Sequence, residues 1–378
     1  MKIVCDNKIP FLRGVLEPYA EVVYLPGKET APEVVKDADA LITRTRTICS
    51  EALLKGSSVK VIATATIGFD HIDTEWCERN GIIWRNAPGC NSWSVKQYIG
   101  SVLVRLAQKH GLSLEGMTLG VVGVGNVGSK VARVGRALGM KVLLNDPPRA
   151  RREGPEGFVS LDEIVAKSDI ITLHVPLSRE GEDATWHLFD AARIASMRPS
   201  QILINSSRGP VVDNPALKQA LKSRSILAGV LDVWEGEPDL DRELIELLDI
   251  TTPHIAGYSA DGKANGTAAS VRTVSEILGL PLVDWAPDGI PAPAQSLEFS
   301  IDAAGKSRQE VISEAILHAY DVLSDSDALR AKPELFEKLR GDYPVRREPS
   351  AFTLHLKGGT PQMKESLEML DFKITATI

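Results

Sequence analysis

Gly123-Val124-Gly125-Asn126-Val127-Gly128 is the stretch of this sequence that decides the fold. The apolar run Met117 to Val122 precedes it and helix-compatible sequence follows, so the pattern predicts a strand, a tight turn and the start of a helix. In such a unit the first glycine permits the turn, the second lets a pyrophosphate approach the backbone, and the third lets helix and strand pack closely. A glycine-rich turn without a ligand can have the same spacing. The flanking strand and helix favour a dinucleotide site at Gly123, Gly125 and Gly128.

An acidic residue at the end of the next predicted strand favours NAD as the dinucleotide. The apolar stretch Lys141 to Asn145 ends at Asp146, eighteen residues after Gly128. A carboxylate at this position accepts hydrogen bonds from the adenosine ribose hydroxyls and repels the 2′-phosphate of NADP. The alternative is that Asp146 only starts the turn into Pro147-Pro148.

Composition and charge exclude several classes of protein. The chain has 378 residues, of which 43% are hydrophobic and 25% charged, as in ordinary globular proteins of two or three domains. Its net charge of −7 argues against a general affinity for nucleic acid. No run approaches the roughly 18 apolar residues of a membrane span, and the N-terminus lacks the pattern of a signal peptide. Since Cys5, Cys49, Cys77 and Cys90 have no metal-type spacing, we expect reduced thiols in a cytoplasmic protein.

Short apolar strands alternate with helical patterns up to Leu278, which is typical of parallel α/β sheets. Before the glycine-rich stretch, the predicted elements are strands at Lys2 to Cys5, Glu21 to Tyr24, Ala40 to Thr43 and Val59 to Thr64, and a helix at Ser94 to Lys109. After it, the predicted strands are Ile170 to His174, Gln201 to Asn205, Ala228 to Leu231 and Asp249 to Thr251. Because a full α/β series precedes the dinucleotide unit, we expect that unit to be inserted into another domain, which the helix Ala260 to Leu278 completes.

The segment after this helix predicts a linker and a small C-terminal domain. Four prolines between Pro281 and Pro293 indicate the linker. Beyond it the pattern predicts strands at Ser296 to Ile301 and Ala351 to Leu356, and helices at Arg308 to Leu323, at Pro333 to Leu339 and from Pro361 onward. An α+β appendage of this kind often packs against a second copy of the chain.

Three polar residues near the ends of predicted strands fit one reaction. Arg208, Glu237 and His254 belong to the second α/β series, and open α/β sheets bind ligands at the carboxyl ends of their strands. Oxidation of a secondary alcohol beside a carboxylate requires a base for the hydroxyl proton, a cation for the carboxylate and NAD for the hydride. His254 can be the base, Glu237 can orient the imidazole and stabilise its charged form, and Arg208 can hold the carboxylate. Taken singly, each has a structural alternative, namely a surface turn, a solvated carboxylate and a structural imidazole.

The order of five motifs resembles the D-isomer-specific 2-hydroxyacid dehydrogenases. The motifs are the glycine-rich stretch with Asp146, Leu173-His174-Val175-Pro176-Leu177, Asn205-Ser206-Ser207-Arg208-Gly209, Leu231-Asp232-Val233 through Glu237-Pro238, and Thr252-Pro253-His254-Ile255-Ala256-Gly257. The resemblance covers residues 1–285. It implies a Rossmann-like NAD-binding domain at 96–254, inserted into a flavodoxin-like α/β substrate domain at 1–95 and 255–285, with a small α+β dimerisation domain at 286–378.

Within that family, Thr64 to Asp73, Ala87 to Asn91, Ala256 to Ser259 and the tail Leu339 to Glu348 are the more specific pointers. They imply oxidation of 4-phospho-D-erythronate to (R)-3-hydroxy-2-oxo-4-phosphooxybutanoate in pyridoxal 5′-phosphate biosynthesis, by a cytoplasmic homodimer. Carried over by position, Arg208 and Glu237 are active-site residues and His254 is the proton donor or acceptor. The implied NAD contacts are Gly123, Gly125, Asn126, Val127, Gly128, Asp146, Val175, Ser206, Ser207, Arg208, Asp232 and Gly257. The implied substrate contacts are Thr45, which stands where relatives have serine, Thr66 and Tyr258.

A phosphorylated substrate requires local positive charge in a protein that is acidic overall. Arg44 and Arg46 flank Thr45 just after a predicted strand and can bind the phosphate, unless they only cover the surface. Arg346 and Arg347 are a second basic candidate, if the tail of a partner subunit reaches the site. The alternative for these two is that they are solvated or pair with nearby acids.

Two other groups of polar residues are not expected to form a metal site or to carry out acid–base chemistry. His71 and Asp73 beside Asp70 resemble a turn leading into a helix, so no metal site is expected. His174 lies near the expected nicotinamide but lacks a charge partner, so acid–base work is not expected of it.

Two alternative functions share the same residues. One is another dehydrogenase of the family, acting on phosphoglycerate or on glyoxylate and hydroxypyruvate. The other is an NAD-sensing binding protein like the corepressors that have this fold. The folded pattern of the tail favours an enzyme, whose partner is a small molecule rather than nucleic acid or a membrane.

Overall fold

The computed structural model describes residues 1–377, in which the strands form three parallel β-sheets. The strands are β1 (Lys2–Asp6), β2 (Glu21–Leu25), β3 (Ala40–Thr43), β4 (Val61–Thr64), β5 (Ile83–Arg85), β6 (Thr118–Val122), β7 (Lys141–Asn145), β8 (Ile170–Leu173), β9 (Ile202–Asn205), β10 (Ala228–Leu231), β11 (Ile250–Thr251), β12 (Glu298–Asp302), β13 (Thr353–Lys357) and β14 (Lys373–Thr377). The helices are α1 (Pro32–Val35), α2 (Glu51–Leu54), α3 (Thr74–Arg79), α4 (Ser92–His110), α5 (Gly128–Ala137), α6 (Pro147–Glu153), α7 (Leu161–Lys167), α8 (Ala191–Ala195), α9 (Asn214–Lys222), α10 (Arg242–Leu247), α11 (Ala260–Leu278), α12 (Arg308–Ala319), α13 (Val322–Ala331), α14 (Phe336–Gly341) and α15 (Pro361–Met369).

The chain divides into two compact units. The first contains Met1–Asn91 and Ser259–Pro291, and the second contains Ser92–Tyr258 and the chain from Ala292 onward. The inserted, parallel α/β architecture predicted from the sequence is confirmed. The finer division into three domains at the predicted boundaries stays a prediction.

The first unit is a five-stranded sheet in the order β2-β1-β3-β4-β5. β3 and β4 are buried along their whole length, as expected for parallel strands covered on both faces. On one face Ile3 and Ile42 pack with Val271 of α11, and on the other face the short helices α2 and α3 pack against the sheet. Asp73 accepts a hydrogen bond from the Trp76 amide at 3.0 Å and caps α3, which is the turn role expected for it.

The second unit contains a six-stranded sheet in the order β7-β6-β8-β9-β10-β11. The chain leaves β6 toward one edge for β7 and then crosses back to β8 on the other side of β6, so the switch point lies between β6 and β8. α4, α5 and α12 share the core cluster on one face, and α7, α9 and α10 share the cluster on the other. The carboxyl ends of β6 and β8 are therefore the place where this topology forms a ligand crevice.

The tail forms the third sheet, in the order β12-β13-β14, with α12 to α15 between its strands. The predicted helix over 308–323 is interrupted, because α12 ends at Ala319 and Tyr320 is extended at φ −162°. Asp321 then caps α13 by accepting a hydrogen bond from the Leu323 amide at 3.1 Å. β5, β14 and α13 were not predicted from the sequence. No helix within residues 1–377 has the length and apolar character needed to cross a bilayer.

Candidate active site

The predicted residues of the second unit gather at the carboxyl end of the six-stranded sheet. Each of the strands β6 to β10 ends one or two residues before a predicted site residue. In sheet order they are Asp146 after β7, Gly123 after β6, Val175 after β8, Ser206 after β9 and Asp232 after β10, with the segment 252–257 after β11. Because the carboxyl ends of parallel strands share one edge, the fold brings these separate motifs together.

The glycine-rich turn has the shape that a pyrophosphate requires. Gly123 has φ +85°, a conformation that favours glycine, and a Cβ there would lie 2.6 Å from the His174 carbonyl oxygen. A Cβ on Gly128 would lie 1.9 Å from the Gly123 carbonyl oxygen, so only glycine fits at the start of α5. A Cβ on Gly125 would have no heavy atom of residues 1–377 within 4 Å. The backbone at Gly125 is therefore open to a ligand, and the adjacent Asn126 is exposed.

Asp146 already uses both carboxylate oxygens within the fold. One accepts a hydrogen bond from the Arg149 amide at 3.0 Å and caps α6, and the other accepts one from the Val124 amide at 2.8 Å. Asp146 thus has the turn-forming role that was its structural alternative, and it also ties the end of β7 to the glycine-rich turn. Each carboxylate oxygen has a second acceptor site. Ribose binding by Asp146 therefore stays a prediction that the geometry permits.

The turn that carries Arg208 is held by Asn205 at the end of β9. The Asn205 Oδ1 accepts hydrogen bonds from the Ser207 amide at 3.0 Å and the Ser207 hydroxyl at 2.8 Å, and its Nδ2 donates to the Arg208 carbonyl at 2.9 Å. A Cβ on Gly209 would lie 2.0 Å from the Trp234 carbonyl oxygen, so this turn is pressed against the segment that follows β10. The local sequence thereby fixes where the Arg208 side chain starts.

His254 and Glu237 form the pair predicted from the sequence. His254 Nδ1 and Glu237 Oε2 lie 2.8 Å apart, and the two side chains are 32% and 22% exposed. Within residues 1–377 no hydrogen bond engages His254 Nε2, so that nitrogen is available to a substrate. Burial raises the pKa of Glu237, but the hydrogen bonds from His254 and from the Trp234 amide outweigh it, with help from the Arg340 charge. The pKa of Glu237 is therefore below its ordinary value of 4.5, which keeps the carboxylate charged beside the imidazole.

The backbone that presents His254 is unusual. His254 has φ +57°, a left-handed conformation that a residue with a side chain rarely adopts. Its amide donates to the Asp232 carbonyl at 2.7 Å. The buried Asp232 carboxylate accepts hydrogen bonds from the Thr252 hydroxyl at 2.6 Å, the Ile255 amide at 2.8 Å and the Ala256 amide at 3.0 Å. Asp232, predicted as an NAD contact, therefore also holds the segment on both sides of His254.

Two buried polar atoms at the switch-point edge have no partner in the fold. The Ser206 hydroxyl and His174 Nδ1 have no hydrogen-bond partner within residues 1–377. Buried polar atoms in native proteins are nearly always paired, so a polar ligand at this edge would satisfy them. His174 Nε2 lies 2.9 Å from the Thr172 hydroxyl, and burial lowers the pKa of His174 to about 3. His174 is thus neutral at physiological pH, and the absence of an acid–base role for it stays a prediction.

The predicted substrate residues of the first unit follow neighbouring strands. Arg44, Thr45 and Arg46 come after β3, and Thr66 comes after β4, whose end pairs with that of β3. Arg44 Nη1 donates to the Lys8 carbonyl at 3.1 Å, while Thr45 and Arg46 are exposed. Thr66 donates to the Gly68 carbonyl at 2.9 Å. These residues share one edge of the first sheet, and their contact with substrate stays a prediction.

Arg340 is a cation that the sequence analysis did not assign to the site. Its Nη2 donates to the Tyr258 hydroxyl at 3.1 Å, and its guanidinium lies 5.7 Å from the Tyr258 ring centroid. The Arg340 charge also contributes to the lowered pKa of Glu237. The only sequence signal was its place in the tail motif 339–348, which gave no role. Tyr258, a predicted substrate contact, therefore lies beside a positive charge supplied by the tail.

Arg346 is buried and feels the charges of Asp325 and Asp232, as in the alternative of pairing with nearby acids, while its contact with a phosphate stays a prediction. It is 4% exposed, so it is not solvated, and its Nη2 donates to the Ile255 carbonyl at 3.2 Å and the Ala256 carbonyl at 2.6 Å. Its Nη1 donates to the Tyr343 hydroxyl at 3.2 Å. The neighbouring Arg347 is partly buried, and its carbonyl accepts a hydrogen bond from Gln97 at 2.9 Å.

Comparison with protein families places two models on the chain. Residues 83–256 match the D-isomer specific 2-hydroxyacid dehydrogenase NAD binding domain. Residues 293–370 match a domain of unknown function, DUF3410.

Curated proteins match the chain along most of its length. It is 52% identical to an erythronate-4-phosphate dehydrogenase of Bacteroides fragilis over 355 residues, which cover 94% of this chain and 99% of the relative. It is 44% identical to the enzyme of that name from Porphyromonas gingivalis, covering 98% of this chain and all of the relative. With the enzyme of that name from Klebsiella pneumoniae it shares 42% identity, covering 98% of each chain.

Solved structures match the fold. The D-lactate dehydrogenase of Aquifex aeolicus, complexed with NAD and lactic acid, aligns with a TM-score of 0.63 at 29% identity, over 74% of this chain and 96% of the other. An NAD-dependent formate dehydrogenase from Staphylococcus aureus aligns with a TM-score of 0.60 at 24% identity, over 74% of this chain and 95% of the other.

Proposed function

Because the chain belongs to the D-isomer specific 2-hydroxyacid dehydrogenase family, with erythronate-4-phosphate dehydrogenases among its relatives, we propose that His254 is the base of that reaction in this chain. The reaction is the NAD-dependent oxidation of 4-phospho-D-erythronate to (R)-3-hydroxy-2-oxo-4-phosphooxybutanoate, a step of pyridoxal 5′-phosphate biosynthesis. The observation that carries the assignment of the base is the 2.8 Å contact between His254 Nδ1 and the charged Glu237.

The residues of the second unit divide the chemistry among them. His254 Nε2 takes the proton of the C2 hydroxyl as the C2–O bond becomes a carbonyl, and Glu237 stabilises the imidazolium that results. Arg208, held by the Asn205 turn, binds the substrate carboxylate and the reacting oxygen through its planar guanidinium. NAD held at the switch-point edge would supply the acceptor for the hydride that leaves C2. In the reverse direction His254 returns the proton to the oxygen.

The chain's own residues fit a dinucleotide at the switch-point edge. The open backbone at Gly125 and the amides that begin α5 suit the pyrophosphate, and Asp146 suits the adenosine ribose. A polar ligand at the same edge would satisfy the unpartnered Ser206 hydroxyl. Val175, Asp232 and Gly257, which follow the ends of β8, β10 and β11, complete the proposed contacts.

Specificity for a phosphorylated acid calls for cations. We assign this role to Arg44 and Arg46 after β3, with the Thr45 and Thr66 hydroxyls as hydrogen-bonding groups. Tyr258 is the proposed substrate contact of the second unit.

Initial rates on three acids test the function directly. The purified chain with NAD is given 4-phospho-D-erythronate, 3-phosphoglycerate and glycolate at equal concentrations, and NADH formation is followed. The highest kcat/KM is expected for 4-phospho-D-erythronate. A higher kcat/KM for 3-phosphoglycerate or for glycolate would instead indicate another dehydrogenase of the family. NAD binding without turnover of any acid would instead favour the NAD-sensing binding protein.

Assembly and compartment are part of the same proposal. We assign a homodimer through residues 286–378, a segment that largely coincides with the DUF3410 match. We also assign the cytoplasm, since no disulfide joins the four cysteines within residues 1–377 and three of them are buried. Light scattering of the full chain is expected to give twice the 41.0 kDa chain mass. A monomeric mass would contradict the dimer.

A further inference from the structure

The peptide segment directly after His254 is held from two sides. On one side the Asp232 carboxylate accepts the amide hydrogens of Ile255 and Ala256, at 2.8 and 3.0 Å. On the other side Arg346 Nη2 donates to the carbonyl oxygens of the same two residues, at 3.2 and 2.6 Å. Both amides and both carbonyls of Ile255 and Ala256 are thus engaged by charged, buried side chains. Such charge-assisted hydrogen bonds are stronger and more directional than neutral ones.

The tail holds Arg346 firmly in that place. The guanidinium lies 4.5 Å from the ring centroid of Tyr320, and Nη1 donates to the Tyr343 hydroxyl at 3.2 Å. The hydroxyls of Tyr320 and Tyr343 both donate to Asp325 Oδ2 at 2.7 Å. Arg346 therefore stands between two carboxylates, with Asp325 reached through the Tyr343 hydroxyl on the tail side and Asp232 on the side of the sheet.

The segment that Asp232 and Arg346 hold begins at Ile255, directly after His254, whose backbone is strained. His254 adopts its left-handed conformation at φ +57°, which persists only where the surrounding structure imposes it. The Asp232 carbonyl fixes the His254 amide at 2.7 Å. The hydrogen bonds to Ile255 and Ala256 fix the backbone on the other side of His254. Together these contacts set the direction from which the imidazole reaches Glu237.

We propose that Arg346 is a positioning residue, through which the C-terminal tail holds His254 in the orientation needed for proton transfer. Arg346 acts through the Ile255 and Ala256 carbonyls rather than by touching the substrate. The proposal rests on the proposed function, because it takes His254 as the base. It gives the tail a role in the reaction beyond subunit contact.

Arg330 provides a matched control in the same tail. Its Nη1 donates to the Ile245 carbonyl at 2.5 Å, and its Nη2 donates to the carbonyls of Leu248 and Asp249 at 2.5 and 3.2 Å. Arg330 thus makes the same type of contact with the same unit as Arg346. The carbonyls that it binds lead into the amino end of β11 (Ile250–Thr251), whereas the active site follows the carboxyl end of that strand.

The experiment compares Arg346→Lys and Arg346→Met with Arg330→Lys and Arg330→Met in the full chain. For each variant we measure kcat and KM for 4-phospho-D-erythronate, the Kd for NAD and the unfolding midpoint. Arg346→Met is expected to lower kcat on the order of 100-fold, as for misplacement of a catalytic group by about 1 Å, with KM and the Kd for NAD within a few-fold. Arg346→Lys, which keeps the charge but not the fork, is expected to recover part of the lost kcat. Both Arg330 variants are expected to keep kcat within a few-fold, whatever stability they lose.

The outcomes separate the proposal from its premise. If the Arg346 variants keep the kcat of the Arg330 variants, or lose activity only in proportion to their unfolding midpoint, Arg346 is merely structural and the proposal is wrong. Should Arg346→Met fail to fold, the comparison of Arg346→Lys with Arg330→Lys decides by the same criterion. Absence of turnover by the unaltered chain would contradict the proposed function instead.

Discussion

Replacing Gly125 or Gly128 by alanine tests cofactor binding and folding separately, although both glycines belong to one turn. Neither glycine has a positive φ, so alanine imposes no backbone strain at either position. The two positions differ in the room that surrounds an added methyl group. At Gly125 the added methyl group meets no heavy atom of residues 1–377 within 4 Å, whereas at Gly128 it lies 1.9 Å from the Gly123 carbonyl oxygen. The first methyl group can disturb only a ligand, and the second must displace the backbone.

The structure sets the expected magnitudes. Gly125→Ala is expected to leave the free energy of unfolding within about 0.5 kcal/mol of the unaltered chain, as for an open surface site. If a pyrophosphate lies against this backbone, the methyl group overpacks the complex by about 1–3 kcal/mol, which raises the Kd for NAD about 5- to 150-fold. At Gly128 the contact is far inside the 3.4 Å of ordinary packing, so the start of α5 and the Gly123 carbonyl must move apart. Gly128→Ala is therefore expected to destabilise the fold by about 3 kcal/mol or more.

Two measurements decide the outcome. Urea unfolding followed by circular dichroism gives the stability of each variant, and calorimetric titration with NAD gives the Kd. A Gly125→Ala variant that binds NAD as tightly as the unaltered chain would refute the pyrophosphate site at this turn. A Gly128→Ala variant of unchanged stability would refute the close approach of α5 to the turn.

Further predictions concern His254, Glu237 and the two arginines that follow β3. His254→Ala is expected to lower kcat by about 10²- to 10⁴-fold, the usual contribution of a general base, while the Kd for NAD changes only a few-fold; near-normal turnover would remove His254 from this role. Glu237→Gln is expected to reduce kcat less and to move the acid limb of the kcat/KM profile to lower pH, since the charge that favours imidazolium is lost; an unchanged profile would argue against the pairing. The native pKa of Glu237 lies below its ordinary value of 4.5. The stability that the charged carboxylate contributes is therefore present above pH 4.5 and is lost as the pH falls through the native pKa. Acid unfolding curves of the unaltered chain and of Glu237→Gln should converge below that pKa. Arg44→Ala or Arg46→Ala is expected to raise KM for 4-phospho-D-erythronate far more than KM for an unphosphorylated 2-hydroxy acid, and equal effects would contradict a phosphate contact.

The elements that sequence reasoning found are those whose cause is local. β3, β10 and α11 have the predicted bounds, because apolar runs and helical periodicity depend on neighbours along the chain. The glycine-rich turn could be predicted from its own spacing, although the His174 carbonyl oxygen that crowds Gly123 comes from the end of another strand. Even there the structure adds to the account. Asp146 caps α6 as well as following β7, so its two interpretations are not exclusive.

The break in the predicted helix 308–323 shows where local reasoning ends. The apolar pattern continues through Tyr320, yet α12 ends at Ala319. Tyr320 is 5% exposed, and its hydroxyl donates to Asp325 beneath the Arg346 guanidinium. Asp325 is near Tyr320 in sequence, but Arg346 comes from beyond α14, so no window of sequence around Tyr320 contains the whole arrangement.

The sequence by itself determined the cofactor class, the order of the motifs and the pair of His254 with Glu237, because strand ends, turns and the chemistry of oxidation restrict those residue types to those places. Only the tertiary structure decided which cations lie beside Tyr258 and the segment after His254. Arg340 beside Tyr258, and Arg346 on the Ile255 and Ala256 carbonyls, come from more than 80 residues further along the chain. Their partners are backbone carbonyls and a hydroxyl, which leave no pattern in the sequence. The physical reason is that hydrophobic periodicity and turn geometry act along the chain, whereas the partner of a buried cation is selected by the packing of the whole unit.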